Sequence, residues 1–302
     1  MQERKGKIMD RIIRCITSDG AIMASAIDAS DIVFTAKKLH KLSRSATAAL
    51  GRLLCATSMM GNMLKQEDAF LNLRIQGDGE LGSVVAVGDS RGNVRGYVDN
   101  PACATEYYHS GKINVAKAVG MQGTLSVMRD YGTGDPYIGQ VELSSGEIAE
   151  DIAHYYVTSE QIPTVCALGV LMDQENGEVL LAGGLLIQLL PGAYDEVIDR
   201  LEENVQALEP FTTMLAKGMS ILDICKTALR SFEVEVLDEN PVNYVCSCSR
   251  EKLERHFMTL SDEDIRTLPD ENGVTKAVCQ FCNKRYTFSR EDLERLIAEK
   301  NA

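Results

Sequence analysis

The chain of 302 residues is expected to adopt an α+β fold in three parts: an N-terminal core of mixed sheet and helix over 1–190, a helical linker over 191–240, and a small C-terminal domain over 241–302. Three observations carry this expectation. Strand-like runs broken by glycine-containing turns alternate with helical stretches as far as Pro191-Gly192, acidic but apolar helical sequence follows, and four of the nine cysteines fall in two tight pairs near the end. A composition 45% hydrophobic suffices to bury a sizeable core at this length.

Residues 10–27 read as two strands around Ser18-Asp19-Gly20, and 28–64 as two helices, the second small and apolar through Ala46, Ala49, Leu50, Leu53, Leu54 and Met59. Residues 71–75, 83–87 and 94–98 form a meander whose Gly-Asp-Gly and Asp-Ser-Arg-Gly-Asn turns supply positive φ. Strands over 123–128 and 137–143 follow. Ser145, with Glu147 and Glu150 in the first turn, is expected to open a helix through Tyr156, and 165–171 with 179–190 to form a closing hairpin. Helices over 194–208 and from Pro210 to Leu229 carry acid and grease together, so their apolar faces must lean on a neighbour. In the tail, Ser249, Ser261 with Asp264, and Ser289 with Asp292 have capping spacing, while Asn283 suits a left-handed position.

The paired cysteines are Cys246 and Cys248 in Val-Cys-Ser-Cys-Ser, and Cys279 and Cys282 in Val-Cys-Gln-Phe-Cys-Asn. Two sulfurs from each of two knuckles can close a tetrahedron around Zn2+, and the thirty residues between the pairs leave room for a structured excursion. The competing reading, four unrelated buried thiols, describes Cys15, Cys55, Cys103, Cys166 and Cys225 better, since those lie singly in apolar surroundings. His256, eight residues past the first knuckle, is the one histidine that competes as a ligand, and four thiolates already complete the shell.

Net charge is −13, with +3 over residues 1–140, −15 over 141–240 and −1 over 241–302. With no basic stripe, much of the surface would repel a phosphate backbone. The acidic stretch reads equally as a solvated face or as a functional one. Charges at Met1-Gln-Glu-Arg-Lys-Gly-Lys occupy the place of a signal peptide's apolar run, no segment has the length of a membrane span, and a cytoplasmic protein that keeps its thiols reduced or metal-bound is expected.

Gly77-Asp-Gly-Glu-Leu-Gly82 matches a dinucleotide fingerprint in letters but precedes a strand, so it reads as hairpin turns and no organic cofactor is expected. No catalytic residues are assigned. The cysteine site looks closed, whereas a catalytic zinc keeps an open position, and the deaminase pattern is missing. A structural or a redox site remains, because thiolates are what oxidants attack and a neighbouring sulfur resolves a sulfenic acid into a disulfide.

Cys-x-Cys followed by Ser249-Arg250-Glu251, Cys-x-Phe-Cys followed by Tyr286 and Phe288, Ser145-Gly-Glu-Ile-Ala-Glu-Asp151, and Ala182-Gly-Gly184 before Leu-Pro-Gly together resemble the redox-regulated 33-kilodalton heat-shock chaperone family over essentially the whole chain. The resemblance implies an ATP-independent holdase for unfolded client proteins, not an enzyme. It implies a zinc-binding redox switch in which Cys246, Cys248, Cys279 and Cys282 hold one Zn2+ when reduced. Oxidants then form Cys246–Cys248 and Cys279–Cys282 disulfides and release the metal. It further implies a homodimer when oxidised and hand-over of clients to ATP-dependent foldases. The larger, less strained ring of the Cys279–Cys282 disulfide predicts that this pair oxidises first. Loss of the tail is expected to free the 194–229 helices as an adaptable apolar surface, so serine at Leu222 and Ile224 should weaken client capture. The rival from another class is a zinc-stabilised nucleic-acid-binding or regulatory module. It would show salt-dependent binding to DNA or RNA. An enzyme using a cleft in the core finds no catalytic constellation.

Overall fold

Asp19 makes the first turn: its Oδ1 accepts the Ala21 N–H at 3.0 Å and the Thr17 hydroxyl, and Gly20 takes a positive φ. This joins β1 (Arg11–Thr17) to β2 (Ile22–Asp28) in antiparallel pairing. The computed structural model describes residues 9–301 and divides into two compact units, Met1–Val245 and Cys246–Ala302. Residues 1–8, the segment weighed for a signal peptide, lie outside the described residues.

Helices α1 (Ser30–His40) and α2 (Arg44–Asn62) follow as expected. Ser43 caps α2 by accepting the Ala46 N–H, and every residue from Ser45 to Asn62 except Arg52 is buried. Its small side chains permit that. A Cβ on Gly51 would sit 2.7 Å from Val170 Cγ2 and 2.8 Å from Val33 Cγ1, so glycine is what lets this helix pack so closely. β3 (Phe70–Gly77), β4 (Ser83–Asp89), β5 (Val94–Val98), a short α3 (Val115–Val119), β6 (Gly123–Asp130) and β7 (Tyr137–Glu142) build an antiparallel sheet in the order β5-β4-β3-β6-β7. The glycine-rich segment 77–82 joins β3 to β4, with the Gly79 and Leu81 N–H groups on the carbonyls of Val119 and Ala118.

The next helix, α4 (Ala149–Tyr155), begins four residues later than expected. Ser145 is not its cap. The buried Asp151 carboxylate accepts the N–H groups of Ser144 (2.8 Å), Ser145 (2.9 Å), Gly146 (3.2 Å) and Ile148 (2.8 Å), folding the preceding loop onto the helix start. A π-helical turn, Tyr156–Glu160, extends α4 to Glu160, which pairs with Arg129 at 2.6 Å and with the Tyr155 hydroxyl. β8 (Thr164–Met172) and β9 (Val179–Leu189) form the expected hairpin.

The first unit continues past residue 190. α5 (Asp195–Gln206), α6 (Phe211–Ala216) and α7 (Ile221–Ala228) bury Val197, Leu201, Phe211, Met214, Ile221 and Ile224 with Ile13, Cys15, Ile22, Leu185 and Ile187 of the sheet. The stretch expected as one helix to Leu229 breaks where Gly218 turns left-handed and Ser220 with Asp223 forms a capping box. β10 (Val234–Pro241), which sequence reasoning missed, then pairs antiparallel with β1 and completes a second sheet, β10-β1-β2-β9-β8. Its acidic side chains pair with arginines of β1: Arg14 with Asp238, and Arg11 with Glu239 at 3.0 Å. Beyond it, Val242 N–H donates to Asp10 O (3.0 Å), Val245 N–H to Val94 O (2.9 Å), and the Tyr244 hydroxyl to Gly96 O (2.9 Å). Of the single cysteines, Cys15, Cys55, Cys103 and Cys225 are buried and Cys166 is half-buried; burial pushes the Cys55 thiol far up and that of Cys166 up to about 12, which leaves them unreactive. Among the described residues no helix is long and apolar enough to cross a membrane.

The second unit holds α8 (Arg250–Phe257), α9 (Asp262–Thr267), the hairpin β11 (Val274–Val278) and β12 (Arg285–Ser289), and α10 (Arg290–Lys300). Ser249, Ser261 and Ser289 cap the three helices, each accepting a backbone N–H from three residues on. The core is small: Ile265, Tyr286, Phe288, Leu293, Leu296 and Ile297, with Phe257 edge-on to Phe288 at 5.0 Å.

Candidate metal centre

Each cysteine pair is set by a local turn. Cys246 follows the hydrogen-bonded segment ending at Val245, and Cys248 directly precedes the Ser249 cap of α8. The second knuckle is the turn between β11 and β12. Asn283 N–H reaches Cys279 O at 2.8 Å, Cys279 N–H reaches Lys284 O at 2.9 Å, and Asn283 adopts the left-handed φ of +57° expected of it.

These turns bring all four Sγ atoms within 4.8 Å of one another. The shortest separations run between knuckles, Cys248 to Cys282 at 3.4 Å and Cys246 to Cys279 at 3.7 Å. A tetrahedron with metal–sulfur bonds of about 2.3 Å has edges of about 3.8 Å, so the donor set fits one thiolate-bound metal ion. His256 is exposed on α8 and stands outside the cluster. All nine cysteines are free thiols.

Burial opposes ionisation of Cys248, but the Tyr286 hydroxyl, at 3.1 Å from its sulfur, and the surrounding thiols outweigh it and draw this thiol down to about 7. Burial pushes Cys246 up, and Cys282 up to about 12, the latter despite a backbone N–H from Lys284. Cys246, Cys248 and Cys282 are thus pulled apart: the Cys248 proton leaves readily, while burial and neighbouring negative charge hold back those of Cys246 and Cys282 until a cation balances the charge. Donation to Cys248 in turn raises the Tyr286 hydroxyl well above its ordinary value.

Tyr286 is the site residue whose role sequence reasoning missed. The signal was present in the alternation of β12, since Tyr286 and Phe288 share one face of the strand and that face is buried.

The chain matches the family model described as Hsp33 protein over residues 10–289. A 33 kDa chaperonin of Acetivibrio thermocellus is 45% identical over 288 residues, covering 95% of this chain and 97% of that one. One from Bacillus licheniformis is 42% identical over 291 residues, covering 96% and 100%. The crystal structure of the 33 kDa chaperonin (heat shock protein 33 homolog) of Thermotoga maritima superposes with a TM-score of 0.88 at 33% identity, over 97% of this chain and 99% of that one.

Proposed function

The chain belongs to the Hsp33 protein family, and from that membership we propose that it is a redox-regulated, ATP-independent holdase that binds unfolded proteins under oxidative stress. The observation that carries the reading is the convergence of the Cys246, Cys248, Cys279 and Cys282 sulfurs in a unit whose own core is only six buried side chains. So small a core needs a staple.

Reduced, the four thiolates hold one Zn2+, which when bound cross-links the two knuckles in a closed shell. Oxidation to Cys246–Cys248 and Cys279–Cys282 disulfides removes the ligands and releases the metal. The surface for clients belongs to the first unit, where α5, α6 and α7 cover one face of the β10-β1-β2-β9-β8 sheet. Their release uncovers Ile13, Ile22, Leu185 and Ile187 and frees Met214, Ile221 and Ile224, an adaptable apolar surface. In this reading 1–190 is the chaperone core, 191–240 the linker and 241–302 the switch. The protein works in the cytoplasm, dimerises when oxidised and passes clients to ATP-dependent foldases. An acidic surface, with net charge −13, argues against nucleic acid as a partner.

The test measures metal content and suppression of thermal aggregation of a test protein, before and after peroxide at raised temperature. One zinc per reduced chain, its release with two disulfides, and protection only after oxidation are expected. Retained zinc with unchanged protection would make the cysteines a structural clip and overturn the reading. Chelation of the reduced protein should abolish amide protection across 246–302 while the first unit keeps its thermal transition, since structural zinc is worth about 10–16 kcal/mol in small modules.

A further inference from the structure

The open edge of β8 faces a cavity of about 350 Å³ in the first unit. β8 ends its sheet and hydrogen-bonds along its length to β9. Side chains alternate in direction along a strand, yet the consecutive residues Leu168, Gly169, Val170 and Leu171 all line the cavity, so the backbone edge itself forms part of the wall. Arg44 and Arg52 of α2 form a second side, Lys112 in the loop before α3 a third, and Pro210, Thr212 and Thr213 close it from α6. The charge of this wall is opposite to that of the chain. Net charge is −13 overall, but three cations and, among the described residues, no aspartate or glutamate line the cavity. Glu147 neutralises Arg52. Arg44 has only uncharged acceptors, Gln174 O at 2.6 Å, Glu175 O at 3.3 Å and the Tyr107 hydroxyl at 3.3 Å, and the exposed Lys112 has no acidic partner among the described residues.

Two uncompensated cations beside an apolar wall suit an anion that carries an apolar body. We propose that this cavity binds a small amphipathic anion, a carboxylate or phosphate on a short hydrocarbon body, and does so only while α6 is docked. The head lies between Arg44 and Lys112, and the body against Ile113, Leu168 and Val170. Thr212 ties binding to docking: a Cβ on Gly169 would meet Thr212 Cγ2 at 2.6 Å, so α6 sits directly on β8 at the cavity wall, and its departure opens that side. A ligand that binds one of two states stabilises that state by its differential affinity. At about a hundred times its dissociation constant, the anion favours docked helices roughly a hundredfold. It therefore opposes client capture after oxidation, a consequence that rests on the function proposed above, whereas the binding itself does not.

The experiment titrates octanoate, octyl phosphate and, as the uncharged control, octanamide into the full-length reduced protein by calorimetry, and follows hydrogen exchange over 210–216 with and without each probe. At least one anion should bind, the two probes distinguishing a carboxylate from a phosphate head, and octanamide should bind at least about tenfold more weakly. The bound anion should slow exchange over 210–216. Lys112 is exposed, so Lys112→Gln leaves the packing alone and should weaken anion binding about twofold to fivefold. Arg44→Gln should weaken it about tenfold to a hundredfold. No binding of either anion, binding of octanamide as tight as theirs, or an affinity unchanged by either substitution overturns the inference. So does an anion that binds without slowing exchange over 210–216, because the cavity then does not depend on α6. Since the titration uses the reduced protein, protection that fails to appear on oxidation overturns the redox reading and leaves the binding site standing.

Discussion

Ile224→Ala tests whether docking of the linker helices keeps the reduced protein silent. Ile224 is fully buried on α7, in the cluster that this helix shares with β1 and β2. Deleting a buried isoleucine to alanine costs about 2–5 kcal/mol, depending on how far the site collapses. Taking about 3 kcal/mol, the ratio of docked to undocked helices falls roughly a hundredfold. Because both flanking strands stay in the sheet, the loss falls on a local opening rather than on the global fold. Hydrogen exchange over 195–229 should therefore quicken by about that factor, and the reduced, metal-loaded variant should already suppress part of a test protein's aggregation. The matching control is Leu222→Ser. Sequence reasoning grouped Leu222 with Ile224 as client surface, but Leu222 is only half-buried, so its serine variant should weaken capture by the oxidised protein with little effect on docking. If exchange quickens in Ile224→Ala and the reduced protein stays inactive, uncovering the sheet is not the activating event and the reasoning fails.

Two further outcomes concern the scaffold. Asp10, which accepts the N–H groups of Asp31 at 3.0 Å and Ile32 at 2.6 Å at the start of α1, is raised to about 7 by burial against those hydrogen bonds, with Asp28 and Asp31 adding to the rise. A carboxyl raised on folding binds more protons in the native state, so the stability it contributes is present at low pH and lost as pH climbs from about 4 to about 7. Urea unfolding at pH 5 and pH 8 should show a drop in the native protein larger by roughly 2 kcal/mol than in Asp10→Asn, and equal drops would refute the assignment. Asp151→Asn removes a buried charge that gathers four backbone N–H groups, so thermal denaturation should show a loss of about 2–4 kcal/mol. An unchanged melting temperature would mean the loop before α4 folds without it.

The convergence of the four cysteines was legible because its information is local: two spacings and an asparagine after Cys282 define both knuckles. The first sheet pairs were legible because alternation and turn residues act over a few positions. What escaped depends on partners far along the chain. β10 reads as acidic sequence ending in proline, and becomes a strand in its pairing with β1, where Arg14 lies across from Asp238 and Arg11 pairs diagonally with Glu239. The start of α4 was misplaced because Ser145 looks like a cap, whereas the Asp151 side chain takes the Ile148 N–H that such a cap would bind and leaves the Ser145 hydroxyl on the Glu147 N–H. The break at Gly218 was masked by a continuous apolar pattern over 211–229, which records the face buried and not the chain's change of direction.

Helices α5, α6 and α7 are tied at both ends to strands of one sheet. β9 pairs with β2 and β10 pairs with β1, so residues 190–233 leave and rejoin the same sheet. Helices tied at both ends stay close to the face they covered, at an effective concentration on the order of millimolar or above. Under the function proposed above, they would compete with any client as an intramolecular rival that never diffuses away. Rebinding once the thiols were restored would need no search, and weakly held clients would be shed before strongly held ones. The connectivity of one sheet would then make release selective as well as reversible.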